Sequence, residues 1–274
     1  MKESLYKLVF VIALFFLSIV GYAQQLVPED QIKAIDEKIK IKGRQYPGKT
    51  IVLDGIIEPE KWYTSDYRIL FVLKEPWGGD NRDVIDIRTE NKSATVVPED
   101  KGDGGETYRP MVTIANMLVH DLDYNAVSGR IYGGEAWSVF KECSAIIEIK
   151  KIYGGKKSDV NDIKAHASIN AELLKEQVRV YNPNIVVIAV NNLLDDILIK
   201  NDVNGYYVFD EYVNYNDIDH ITIRGKEFKC YKTDNRIYIN AFHPSYVSTF
   251  AQSYFKEYCE EIVRVAREWI EEQE

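Results

Sequence analysis

The chain is poor in the residues that build metal and redox sites. It has three cysteines, Cys143, Cys230 and Cys259, and four histidines in 274 residues. None of the cysteines has CxxC spacing, and none stands at ligand spacing from a histidine. No zinc or iron–sulfur signature follows, and no metal or cofactor is expected. Widely spaced thiols, odd in number, read as buried free side chains. A single disulfide after export stays open, with nothing in the spacing to choose the pair. Positive charge is also short, 34 Lys and Arg against 43 Asp and Glu, for a net charge of −9 and a pI near 5.2. Proteins that live on phosphate contacts show a basic patch, so the balance argues against avid, nonspecific DNA binding. One local basic cluster, Lys150, Lys151, Lys156 and Lys157, surrounds a Gly-Gly loop. Charge runs of that kind usually mark a solvated face.

Internal repeats and low-complexity segments are absent, and so is an apolar run of membrane-spanning length. Leu8 to Val20 is almost wholly apolar but falls short of the ~20 residues a spanning helix needs. Lys2 and Lys7 precede the run, and small residues at Gly21 and Ala23 follow it, the pattern of a cleaved secretory signal over residues 1–23. No cysteine follows, which argues against a lipoprotein anchor; an uncleaved N-terminal anchor is the alternative. The expected location is therefore periplasmic or secreted if the signal is used, and cytoplasmic if translation starts downstream. No stable membrane insertion is expected once the signal is removed.

What the chain does have is alternation of apolar strands with amphipathic helices. Ile32, Ile35 and Ile39 predict a helix over 28–42, the start of an N-terminal helix-and-linker segment, 24–64. Residues 43–67 read as loop with a short helix. Ile69 to Leu73 is a short apolar run that stops at a Pro/Gly loop, hence a buried strand. The stretch from Gly78 to Arg109 is polar and lacks periodicity, the kind of long loop that is often functional. Helices are expected over 107–122, 136–143 and 161–180, the last capped by Ser158 or Asn161. Strands are expected at 144–149, 185–190 and 236–242, with a helix after Asn191-Asn192 at 193–199 and a long closing helix over 250–269. Residues 201–235 read as irregular with short strands. Buried strands alternating with helices predict an α/β domain over 65–274: a three-layer α/β/α sandwich with a mostly parallel central sheet.

Two stretches deliver polar groups at strand ends: Leu73-Lys-Glu-Pro-Trp-Gly78 and Phe242-His-Pro-Ser245. Strand C-termini are where open α/β sheets bind ligands. Together with Ile146-Ile-Glu-Ile-Lys-Lys151 and Tyr181-Asn-Pro-Asn-Ile-Val-Val-Ile-Ala-Val190, in this order over residues 65 to 270, they make the chain resemble the uracil-DNA glycosylase superfamily. The resemblance implies a glycosylase-like fold and cleavage of an N-glycosidic bond in nucleic acid or a nucleoside, chemistry associated with DNA repair. It assigns Glu75 to water positioning and sugar-cation stabilisation, and His243 to donation toward the departing base. It assigns Trp77 to stacking on or screening a base, and Ser245 with the loop around Gly78 to phosphate contact.

The departures are informative too. Where the superfamily reads the base with an amide, this chain has Glu148. An ionised carboxylate only accepts hydrogen bonds, which suits a donor-rich base such as cytosine or guanine, or no base at all. An exported, inactive nucleotide- or ligand-binding module of the same fold is the competing reading. Each residue also has a plain structural role open to it. Glu75 could pair with Lys74 or Arg88, His243 could be a satisfied loop histidine, and Trp77 could cover core. Glu148 needs a partner or a proton, with Lys150 and Lys151 the nearest cations.

Overall fold

The computed structural model describes residues 29–76, 82–96, 105–154, 158–191, 218–249 and 251–273. The predicted signal segment and the helix expected at 193–199 lie outside them. The described part is a mixed α/β fold. Helix α1 (Glu29–Gly43) leads to β1 (Ile51–Leu53), β2 (Gly55–Ile56), α2 (Pro59–Trp62) and β3 (Ile69–Leu73). Then come β4 (Val84–Asp86), α3 (Ile87–Ser93), α4 (Gly105–Val119), α5 (Tyr124–Ser128), α6 (Gly134–Cys143) and β5 (Ser144–Glu148). Helix α7 (Val160–Tyr181) and β6 (Ile185–Ile188) follow, then β7 (Ile218–Ile223), β8 (Lys226–Lys232), β9 (Ile237–Asn240), α8 (Pro244–Val247) and α9 (Gln252–Glu271).

Seven strands form one sheet in the order β2-β5-β3-β6-β9-β8-β7, and β1 pairs with β4 in a second, two-stranded parallel sheet. Strands β5, β3, β6 and β9 run parallel, while β2 pairs antiparallel with β5, β8 with β9, and β7 with β8. The sheet is thus mixed, with a parallel centre and antiparallel pairings at both ends. On one flank two tight turns are responsible: Arg224 and Gly225, at φ 53° and 70°, make a two-residue turn that folds β8 back on β7, and the turn closed by Thr233 N–H donating to Arg236 O at 2.9 Å folds β9 back on β8. Turns that short force antiparallel pairing. Strands β1 and β2 were also hidden inside a segment read as loop, being three and two residues long. The long polar stretch between Gly78 and Arg109 is interrupted by β4 and α3, and α4 begins inside it.

Strand β3 shows why the central strands read as continuous apolar runs. Ile69, Phe71 and Leu73 enter a core with Met111, Ile114, Phe140 and Ile262, drawn from α4, α6 and α9. Leu70 and Val72 enter another with Ile35, Ile39, Leu174 and Tyr181, drawn from α1 and α7. Successive side chains point to opposite faces, and both faces are packed, so every position is apolar. Helix α7 is capped by neither expected residue but by Asp159, which accepts from Asn161 N–H at 2.8 Å and Asp162 N–H at 3.3 Å. All three cysteines are free and buried.

Gly55 carries a close contact that no side chain could share. Its φ is 128°, and a Cβ there would lie 2.3 Å from the Tyr181 hydroxyl. Gly55→Ala is expected to lower unfolding stability by about 2 kcal/mol through strain and overpacking, measured by urea denaturation.

Candidate functional site

The four parallel strands end along one edge of the sheet. Register pairs Leu73 of β3 with Glu148 of β5 and Val72 with Ile188 of β6; Ile188 in turn pairs with Asn240 of β9. Glu75 and Glu148 therefore leave neighbouring strands. His243 leaves a strand two spacings from β3, about 10 Å away at the usual inter-strand distance. Two ladder bonds extend the β3–β5 pairing past the strand ends: Ile149 N–H to Leu73 O at 2.9 Å and Lys150 N–H to Lys74 O at 3.0 Å.

Glu75 is held rather than loose. Its side chain is 5% exposed, and Oε2 accepts from Lys150 Nζ at 2.9 Å. Lys150 also donates to Asp162 Oδ2, in the first turn of α7, at 2.6 Å. On its other side the carboxylate presses on Gly154, where a Cβ would fall 1.8 Å from Oε2. Gly154 N–H donates to Pro76 O at 3.1 Å, fixing that approach. The partners expected for Glu75 are corrected here: Arg88 instead chelates Asp36 and Asp86, and Lys150 takes the role.

Glu148 is likewise 5% exposed, and its Oε2 is buried without a hydrogen-bond partner among the described residues. Behind it lies a buried carboxylate, Asp54, between β1 and β2. Asp54 Oδ2 accepts from Glu148 N–H at 2.7 Å and from Lys151 Nζ at 2.6 Å, while Oδ1 accepts from Gln177 at 2.8 Å. The two expected lysine partners of Glu148 are thus committed elsewhere, because the strand stops at Glu148 and the chain bends, ending the alternation that would aim Lys150 beside it. Burial first, and then the Asp54 carboxylate, push the Glu148 acid up to about 8, with the Lys151 charge opposing and Glu75 adding. At neutral pH Glu148 is mostly a carboxylic acid. It then offers one donor and one acceptor, and the expectation built on an acceptor-only carboxylate loses its premise.

His243 opens α8. Its backbone N–H donates to Asn191 Oδ1 at 2.7 Å, and Asn191 itself sits at φ 61° just past β6. Ring Nδ1 lies 2.8 Å from Ser245 Oγ and 3.3 Å from Ser245 N. A backbone N–H can only donate, so Nδ1 accepts and the ring proton belongs on Nε2. Burial, helped by the charge of Lys74, pushes the imidazole down to about 3. The ring is therefore neutral at ordinary pH, with its proton on Nε2. Ser245 serves as an internal partner of that ring.

The sequence-predicted residues Glu75, Glu148, His243 and Ser245 thus gather on one sheet edge, while Trp77 and Gly78 lie outside the described residues. Sequence reasoning missed Asp54, Lys150 as the anchor of Glu75, Gly154 and Asn191. Only Asp54 left a signal, as a lone acid between the apolar runs Ile51–Leu53 and Ile56-Ile57. Among the described residues no cluster of three or more His, Cys, Asp or Glu side chains could hold a metal ion, and no helix is long and apolar enough to cross a membrane. No protein-family model and no curated protein sequence matches the chain.

Two outcomes are expected. Asp54→Ala strands the Lys151 ammonium in the interior and should cost about 3–5 kcal/mol of unfolding stability, measured by chemical denaturation. The acid of Glu148 has its ordinary value of 4.5 when unfolded and about 8 when folded. The folded state therefore keeps a proton the unfolded chain has lost, and this stabilisation fades as pH rises from 4.5 through 8. Glu148→Gln should flatten the fall of the thermal midpoint over that window; an unchanged slope would refute the neutral acid.

Proposed function

We propose that the chain is a divergent uracil-DNA glycosylase-like hydrolase of three-layer α/β/α architecture, cleaving the N-glycosidic bond of a nucleobase in nucleic acid or a nucleoside. The observation that carries the reading is a neutral imidazole and two carboxyl groups delivered to one edge by strands β9, β3 and β5. Bond cleavage places positive charge on the sugar and sends the bonding electron pair away with the base. In this reading Nε2–H of His243 donates to the base oxygen that gains the charge. The Glu75 carboxylate orients water toward the anomeric carbon and stabilises the sugar cation. Water supplies the new C–O bond, and its proton ends on the released base or in solvent.

Lys150 and Gly154 support this by fixing where the Glu75 carboxylate points, since a shift of about 1 Å can cost a hundredfold in rate. The same Lys150 contact at 2.9 Å also favours a second reading, a ligand-binding module of this fold. A carboxylate already engaged by an ammonium is a weaker partner for water.

The purified chain, incubated with uracil-containing single- and double-stranded DNA and with nucleosides, is expected to release base. Glu75→Ala and His243→Ala should each lower the rate about a hundredfold or more. Release no faster than that of the Glu75→Ala/His243→Ala double variant, with intact ligand retained, decides for the binding module.

A further inference from the structure

The edge of the sheet opposite His243 carries a concentration of charge of its own. Ile237 of β9 pairs with Ile185 of β6, which pairs with Ile69 of β3. Arg236, Asn184 and Arg68, the residues just before those three strands, therefore share the N-terminal edge, with about 20 Å of extended chain between Arg236 and His243. Between α1, the second half of α7 and the start of β9 lies a cleft of about 480 Å³. That size falls within the roughly 300–1,000 Å³ of small-molecule sites. Its lining holds four cations, Lys38, Lys175, Arg179 and Arg236, and two carboxylates, Glu172 and Glu176.

Each lysine engages one of the carboxylates: Lys38 Nζ lies 2.5 Å from Glu176 Oε2, and Lys175 Nζ 3.0 Å from Glu172 Oε1. The described lining thus keeps a net charge of +2 at Arg179 and Arg236, in a chain whose own net charge is −9. A basic residue in the last turn of a helix is ordinary because it offsets the helix dipole, and that accounts for Arg179 on α7. Arg236 comes from a different element and is only 6% exposed. A third guanidinium adds to the local charge. Arg236 Nη2 donates to Asn182 Oδ1 at 3.4 Å and Arg68 Nε to Asn182 O at 2.9 Å, so two cations grip one residue. Burial first, and then the Arg236 charge, hold Arg68 below its ordinary pKa, with Asp66 opposing. Planar guanidinium forks donate in pairs to phosphate oxygens. A phosphomonoester carries about −1.5 to −2 at neutral pH, which matches the charge of the cleft. A single carboxylate would leave one guanidinium uncompensated.

We propose that this cleft binds a small phosphomonoester, its phosphoryl group held by Arg179 and Arg236 and its organic part set against Val178 and Tyr238, which complete the lining. The site lies at the opposite edge from Glu75 and His243 and does not depend on the glycosylase reading.

Calorimetric titration of the purified chain with ribose 5-phosphate, inorganic phosphate and succinate, at constant ionic strength, tests it. Ribose 5-phosphate is expected to bind at least tenfold more tightly than inorganic phosphate, which lacks the organic part, and than succinate, whose charges sit on two separate carboxylates. Arg179→Gln and Arg236→Gln should each weaken ribose 5-phosphate binding about tenfold or more. Arg179 is exposed, so its variant keeps the fold and decides the matter even where the buried Arg236→Gln does not fold. Lys33→Gln removes the same charge from an exposed position on α1 and should leave the affinity unchanged, as should Glu75→Ala/His243→Ala at the other edge. No binding by the parent, an equal affinity for inorganic phosphate or succinate, or full affinity in Arg179→Gln would overturn the proposal. So would a loss in Lys33→Gln or in Glu75→Ala/His243→Ala as large as that in Arg179→Gln.

Discussion

The buried carboxylate of Asp54 is the interaction on which the rest of the sheet edge depends. It accepts from three donors: the Lys151 ammonium, the Gln177 amide and the backbone N–H of Glu148. Through them it ties the β1–β2 link to the end of β5 and to α7. An ionised group with no exposure is tolerable only when paired and hydrogen-bonded, and Asp54 meets that condition. Its charge then acts on its neighbour. Glu148, buried beside it and denied the lysine that Asp54 has taken, keeps its proton.

The two acids that leave adjacent strands differ in their partners. Glu75 is bonded to the Lys150 ammonium at 2.9 Å. Glu148 has carboxylates nearby and no bonded cation, and burial with those carboxylates raises its pKa. His243 adds a neutral ring whose tautomer is fixed by the Ser245 backbone. Burial and the nearby charge of Lys74 keep it uncharged, so the ring is a neutral hydrogen-bonding group and not a cation.

Rigidity comes from the sheet below. The central strands are buried on both faces, and ladder bonds continue past the ends of β3 and β5 to Lys74 and Lys150. The acid at the end of β3 is therefore placed by the sheet, with Gly154 closing against it. A mobile loop could not hold a carboxylate to within the fraction of an ångström that catalysis or recognition requires.

Sequence by itself determined the central strands at 69–73, 144–149, 185–190 and 236–242, the long helices, and the candidates Glu75, Glu148 and His243. Those signals are local: an apolar run, a helical period, a Pro or Gly stop. It did not reveal β1 and β2, too short to show a period, nor the antiparallel β7–β8–β9 flank, which the tight turns at Arg224-Gly225 and Thr233–Arg236 decide. Nor could it say which cation serves which acid. Lys150 and Lys151 are adjacent in the chain, yet one pairs with Glu75 and the other with Asp54, 75 and 97 residues away. Tertiary packing alone settled that, and with it the proton on Glu148, because charge states depend on burial and on neighbours that only the fold brings together.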